Sequence, residues 1–524
     1  MSVQRKHDRA SGLHGASVAS DAMSTRVLAC PGDGDYRGTH AHASVGMAPR
    51  LIPKPNFIIL LGLLFVLVFS NLAAGETIWG LTPYRVRMLT ACDDTPGLAT
   101  EFQADLCESV SSRIDALLGA AWTFDAEAAG EDLRRAAGIG SLIGNGPPPE
   151  FESLPPELID ELADVDKLML VGIAAGDGRL RLTVRELDVR TRRWGAVVVE
   201  QVPQTTKLRD AAVSAILEAF SPLATIDKVE GKRVILRPKA ADLPLRDKSI
   251  SLVAADEVFQ PVVRYNDREG KPRRITAIPW TFLTIDQIEH GELTCRLHSG
   301  LRTPLSGRRR GRIEQYALAV RGPRQPSTLV LQSRSEAEKL LGGYDVFSHP
   351  PDSKATVHIG RTDHRGSISI PPAEHPLRVL LIRNGGQTLA RLPLVPGLED
   401  TLMAAVPDDR GRLEAEGFIN GLQEELVDMV SRREVLLALA KARIADGDPD
   451  EAEPLLEEIR ALPSRRDFLM RLSEARKKIT SDDPVIKRKI KALFDDTRKL
   501  LGQHLDDEPI EKLETKLGKI KDRE

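Results

Sequence analysis

At 524 residues the chain is too long for one hydrophobic core, and its 41% apolar content is that of ordinary globular protein, so it should divide into roughly three or four domains. Aromatic residues supply only 4% and the net charge is −3. Those values exclude a large stacking surface and an overall field pulling the molecule toward nucleic acid or anionic lipid.

The chain opens on a polar leader, residues 1–46, rich in Ser, Gly, His and Asp. Met47–Gly75 then reads as an export signal. Arg50 and Lys54 form a positive start, Ile58 to Phe69 an apolar run, and Ala73-Ala74-Gly75 a small-residue cleavage site. The apolar run is short against about 30 Å of hydrocarbon, which favours a cleaved signal peptide over an uncleaved anchor. A signal should open a chain, so residues 1–46 read as a mis-called start, with a disordered leader as the alternative. The expected localisation is therefore periplasmic or secreted, with membrane anchoring through this segment as the other reading.

Residues 76–150 read as a small α+β domain ending in a linker. Tyr84 to Cys92 has strand character, Gly97 to Leu117 is an amphipathic helix, and Gly138 to Pro149 is a Gly/Pro break. Its glycines lack the preceding strand and the Gly-Lys-Ser/Thr of a phosphate-cradling loop. Cys92 and Cys107 lie fifteen apart. Export would permit a disulfide between them, and two buried thiols are the other reading. No zinc-ligand spacing is present, so no cofactor is expected.

Residues 151–224 read as a three-strand meander followed by a helix. Lys167 to Ala174 is a strand, Gly176-Asp177-Gly178 a hairpin turn, and Arg179 to Val189 alternates Leu180, Leu182, Val184 and Leu187 with charges, as a half-buried strand does. Trp194 to Val202 is the third strand and Lys207 to Phe220 the helix. Residues 225–335 are β-rich, with short strand-like runs between turn signals, the pattern of an antiparallel barrel or sandwich. Trp280 there reads as a core residue between strands or as a binding anchor. Arg302, Arg308, Arg309, Arg310 and Arg312 form a basic cluster, with Arg321 and Arg324 nearby. It reads as a solvated hairpin tip or as an anion-binding patch, because guanidinium forks pair with phosphate and carboxylate.

Residues 336–406 form a second β unit. Gly360-Arg361-Thr362-Asp363-His364-Arg365-Gly366, followed by Ile368 and Ile370, resembles the Thr-Asp-x-x-Gly turn of carboxypeptidase-regulatory-like β-sandwich modules, over about residues 343–406. The resemblance implies a spacer or adhesion unit rather than a catalyst. Asp suits such a turn because it accepts backbone N–H bonds, and Gly because it tolerates positive φ. His349, His358, His364 and His375 cluster here, with His358 and His364 as candidate metal ligands in a metal-dependent enzyme. They lack the tight spacing of a His-x-His or HExxH site, and scattered surface histidines are the competing reading.

Residues 407–524 change to helical period. Leu422, Leu426, Met429, Leu436, Leu437 and Ala440 recur at helical spacing, and Asp446 to Asp450 form a turn before a second helix. Residues 421–462 resemble one tetratricopeptide-like helix pair, which implies protein binding, although a solenoid needs about three such units. Asp408, Asp409, Glu414, Glu416, Glu424, Glu425 and Asp428 alternate with arginines and read as a solvated face with ion pairs. The second α+β unit and the β unit after it resemble the periplasmic domains of flagellar assembly protein T and of TolB.

The fold class expected is multidomain α+β, with small α+β domains first, antiparallel barrel or sandwich units in the centre, and helices at the end. No G-x-S-x-G elbow, S-x-x-K set or reactive cysteine appears, and no catalytic residue is named. The functional expectation is a cell-envelope scaffold, leaning away from enzyme, that binds a protein partner through its C-terminal helices. The alternatives are a metal enzyme using the His349–His375 region and an anion or wall-polymer binder using Arg308–Arg312. Nucleic acid is not an expected partner.

Overall fold

The computed structural model describes residues 79–522 except 94–97, 99, 137, 141–149, 177, 306–311 and 323–324. The leader, the segment Met47–Gly75, Asp177, most of the Gly/Pro linker and Arg308, Arg309 and Arg310 fall outside the described residues. The multidomain α+β organisation holds over the rest of the chain.

The first sheet has five strands in the order β2-β1-β3-β4-β5: β1 (Tyr84–Cys92), β2 (Trp122–Ala128), β3 (Lys167–Gly176), β4 (Arg179–Asp188) and β5 (Arg193–Val202). β1 pairs in parallel with both β2 and β3, while β3-β4-β5 is antiparallel. Residues 76–150 and 151–224, expected as separate domains, thus share one sheet. The parallel pairing of β1 with β3 explains why the sequence hid this, because such partners lie far apart in the chain. Helices α1 (Thr100–Leu118) and α4 (Leu208–Ala219) cover one face; the short helices α2 (Glu131–Ala136) and α3 (Pro156–Glu161) belong to the segments over the other. With both faces covered, β1 and β3 are buried almost throughout.

The next unit is a closed barrel. Strands β6 (Leu223–Glu230), β7 (Arg233–Pro238), β8 (Val258–Asn266), β10 (Thr281–Glu289), β11 (Glu292–Ser299) and β12 (Ile313–Val320) pair antiparallel around a ring, and β9 (Pro272–Ala277) lies against β8. Closure removes sheet edges, and small residues such as Ala224, Ala317 and Ala319 with Phe259 and Leu283 fill the narrow interior.

A two-sheet sandwich follows. One sheet is β16-β13-β19, from β13 (Ser327–Ser333), β16 (Ser367–Ile370) and β19 (Thr401–Val406); the other is β15-β14-β17-β18, from β14 (Asp345–His349), β15 (Val357–Arg361), β17 (Arg378–Asn384) and β18 (Gln387–Leu394). β13 belongs to this unit, so the sandwich starts earlier than the expected residue 336. The Thr-Asp-x-x-Gly turn works as the residue types suggested. Asp363 Oδ1 accepts the N–H of Arg365 and of Ser367, both at 2.8 Å, and the Thr362 hydroxyl bonds the Leu341 carbonyl at 2.9 Å. Gly366 has φ +67°, and a Cβ there would meet the Leu331 carbonyl at 2.5 Å. Gly366→Ala is expected to destabilise the sandwich by about 2 kcal/mol, from left-handed strain plus overpacking. A shift of the urea midpoint measures it, and an unchanged midpoint would contradict this account of the turn.

The C-terminal region is five helices: α5 (Arg410–Asp446), α6 (Pro449–Ala461), α7 (Arg465–Lys478), α8 (Pro484–His504) and α9 (Glu508–Lys521). The Asp446–Asp450 turn falls where expected, with Gly447 left-handed at the end of α5 and Pro449 opening α6. Helix α5 starts well before residue 421 and runs 37 residues. Its inner stripe is Arg412, Ala415, Ile419, Leu422, Leu426, Met429, Arg433, Leu436, Ala440 and Ile444, all buried at spacings of three and four. Phe468 of α7 and Ile486, Phe494 and Leu501 of α8 meet it in one core, and Leu456 of α6 with Leu513 and Leu517 of α9 in another.

Candidate functional site

The outer face of α5 is apolar where solvent would predict charge. Val427, Val435 and Leu439 are 63%, 60% and 47% exposed, with exposed Ser431 completing a four-residue spacing. Helical periodicity puts these four on one stripe, opposite the buried one. Gly417 and Gly421, earlier on the helix, have open space where a side chain would point. Exposed Asp428, Arg432 and Glu434 flank the stripe, and Arg432 pairs with Glu458 of α6. The inner stripe holds the helix rigid while the outer one remains free, so the surface is a preformed ridge. It offers burial worth roughly 1.5–3 kcal/mol per large apolar side chain to anything that covers it.

The N-terminal end of α5 is anchored differently from the expectation. Asp409 and Arg412 are buried rather than solvated. Arg412 Nε donates to Asp409 Oδ1 at 2.8 Å, its Nη2 reaches the Asn384 carbonyl at 3.0 Å, and Glu416 adds a second carboxylate. The Asp409 N–H donates to the Tyr344 hydroxyl at 3.1 Å. This corner fastens the helical region to the β17–β18 end of the sandwich.

A second buried ionic cluster, which the sequence did not reveal, joins the first sheet to the barrel. Lys167 Nζ lies 2.7 Å from Glu186 Oε1 and 2.8 Å from Asp188 Oδ2, and all three side chains are at most 1% exposed. Glu186 Oε2 accepts the Ser221 N–H at 2.8 Å, Lys167 donates to the Ser221 carbonyl, and the Tyr84 hydroxyl accepts the Leu223 N–H at 2.9 Å. Ser221 to Leu223 is where the chain passes from α4 into the barrel. Beside it Lys239, just past β7, pairs with Asp166, just before β3. Glu186 and Asp188 continue the alternation of Leu182 and Val184 along β4 and are buried with them. Two carboxylates share one lysine, so burial pushes the Glu186 carboxyl from its ordinary 4.5 up to about 7. A raised folded-state value means the stabilising proton is fully held below pH 4.5 and lost as the pH rises through about 7. Wild-type stability should therefore fall from pH 5 to pH 7 by up to about 1.4 kcal/mol per pH unit relative to Glu186→Gln, in parallel urea titrations. Parallel pH profiles for the two would contradict it.

The residues singled out from the sequence are placed as follows. The Cys92–Cys107 disulfide is not formed; both are free thiols packed in the apolar core between β1 and α1. Burial raises both, Cys92 to about 12, which keeps them protonated and unreactive. The four histidines do not converge. His349 Nδ1 lies 2.7 Å from the Pro350 carbonyl, His358 Nε2 is 3.3 Å from Asp345 and His375 Nδ1 accepts the Leu377 N–H at 3.2 Å, while His364 is exposed in its turn. Among the described residues no group of three or more His, Cys, Asp or Glu could hold a metal ion. His358 and His364 are therefore not part of any such group. Arg321 is committed to Glu257 and to the Glu218 carbonyl, and the Arg312 carbonyl accepts the Asn266 N–H at 2.9 Å. Among the described residues no helix is long and apolar enough to cross a membrane.

No family model matches the chain, and no curated protein matches it. Among solved structures, TolB from Acinetobacter baumannii aligns over 60% of this chain and 83% of its own, at 9% identity and a TM-score of 0.16. The Bacillus anthracis TIE protein aligns over 40% of this chain and 46% of its own, at 10% identity and a TM-score of 0.12. At those scores neither likeness assigns this chain a fold family or an activity.

Proposed function

We propose that this protein is a non-enzymatic scaffold of the cell envelope that holds an amphipathic helix of a protein partner along the outer stripe of α5. The observation that carries the reading is the exposure of Val427, Val435 and Leu439 on a helix whose other face is fully packed. Helix-in-groove recognition uses anchors at this kind of spacing, with flanking charges setting register. Export is supported by the basic, apolar and small-residue order of Met47–Gly75. The β units act as rigid spacers, fastened by the Lys167 and Arg412 clusters.

Replacing Val427, Val435 and Leu439 together by serine should change stability by no more than about 0.5 kcal/mol per site, because these side chains bury little in the free protein. Affinity capture from envelope extract should lose its specific partner with this variant and keep it with an Arg268→Ala control on the barrel. Equal capture by the serine variant would remove α5 as the docking element.

A further inference from the structure

Between the barrel and the sandwich lies an open cleft of about 1000 Å³ whose lining includes Arg302, Arg334 and Arg391 with Trp280. Gly300 sets its geometry. Its N–H donates to the Trp280 carbonyl at 2.9 Å, and a Cβ on it would stand 2.6 Å from the Arg391 carbonyl, so only glycine lets β18 approach the end of β11 this closely. The three arginines come from different places, the loop after β11, the end of β13 and the middle of β18, and meet only in the fold.

Their electrostatics set them apart. The cleft lining contains no carboxylate. Arg296, on β11, is by contrast matched, pairing with Asp286 and Asp352. Among the described residues no carboxylate lies within ion-pair distance of Arg302, Arg334 or Arg391, and all three are exposed. Three unmatched guanidiniums around one concavity form an anion site by charge and by fork geometry. Trp280 is half-buried, packs against the sandwich core and lines the same wall, held at φ +50°, a left-handed conformation that costs a bulky residue energy. Ser299, Thr388 and Gln332 add hydroxyl and amide groups.

We propose that this cleft binds an anionic polysaccharide, its phosphate or carboxylate groups on Arg302, Arg334 and Arg391 and a sugar ring on Trp280. A single aromatic suits the C–H face of one sugar, whereas single-stranded nucleic acid calls for a run of stacking rings. The site is separate from the α5 stripe and stands or falls independently of it.

The test is calorimetric titration of the full chain with polygalacturonate and with linear polyphosphate, alongside duplex DNA and vesicles of phosphatidylglycerol and phosphatidylcholine in a one-to-four ratio. Binding of polygalacturonate is expected, tighter than that of polyphosphate, weakened about tenfold by each of Arg302→Ala, Arg334→Ala and Arg391→Ala, and unaffected by Arg268→Ala. Polygalacturonate binding should also weaken with Trp280→Asn, which tolerates the left-handed backbone, while circular dichroism remains native. No binding of polygalacturonate, binding of polyphosphate alone, or binding indifferent to the three arginines overturns the proposal. Arginine-dependent binding of vesicles or DNA that equals or exceeds that of the polymers overturns the polysaccharide assignment.

Discussion

Lys167→Ala is expected to destabilise the protein by about 3–5 kcal/mol, one of the two largest single-residue effects anticipated, because it leaves Glu186 and Asp188 buried with no cation. The change also removes the bond to the Ser221 carbonyl and the ammonium lying 5.3 Å from the centre of the Phe220 ring. The loss comes from stranding two carboxylates, so a neutral cluster should recover most of it. Lys167→Met combined with Glu186→Gln and Asp188→Leu tests that directly, since well-packed apolar replacements of buried ion pairs are often neutral. Urea unfolding followed by tryptophan fluorescence measures both, with Trp122 4.6 Å from Phe220 as a local reporter. A loss under about 1 kcal/mol for Lys167→Ala would mean that water reaches the cluster.

Arg412→Ala should cost a comparable 3–5 kcal/mol, because Asp409 is fully buried and loses its cation. Its consequence differs in kind. Arg412 also reaches the Asn384 carbonyl at the β17–β18 turn, so its removal loosens the root of α5 without touching the helical cores farther along. Hydrogen exchange should quicken at residues 409–416 and around Asn384 and stay slow around Phe468 and Phe494. Uniform acceleration through all five helices would show that the corner supports the helical region as a whole.

How far these features could be read in advance depended on the range of the interactions. Helix α5 was legible because Leu422, Leu426, Met429 and Leu436 repeat within one element, and the turn at Asp363 was legible because its bonds span four residues. The partner of β1 was not, since parallel strands pair across long crossovers. Alternation puts Glu186 and Asp188 in phase with Leu182 and Val184, but it gave no sign of the buried cation, because Lys167 lies on another strand. The arginine run drew attention to the right loop, and of its described members, Arg302 and Arg312, Arg302 lines the cleft. Arg334 and Arg391 carried no local signal, because nothing in their own segments brings them near Trp280. The outer stripe of α5 was hidden in the same sequence that displayed the inner one.

The central claim is that the outer stripe of α5 is occupied in the cell. Site-specific photo-crosslinking in living cells tests it most directly, with the reactive residue at Val435 in one strain and at exposed Glu453 of α6 in another. The account predicts a discrete crosslinked species containing a second, different protein at position 435 and none at 453. Crosslinks absent from both positions, or a species of twice the chain's own mass at 435, would contradict it.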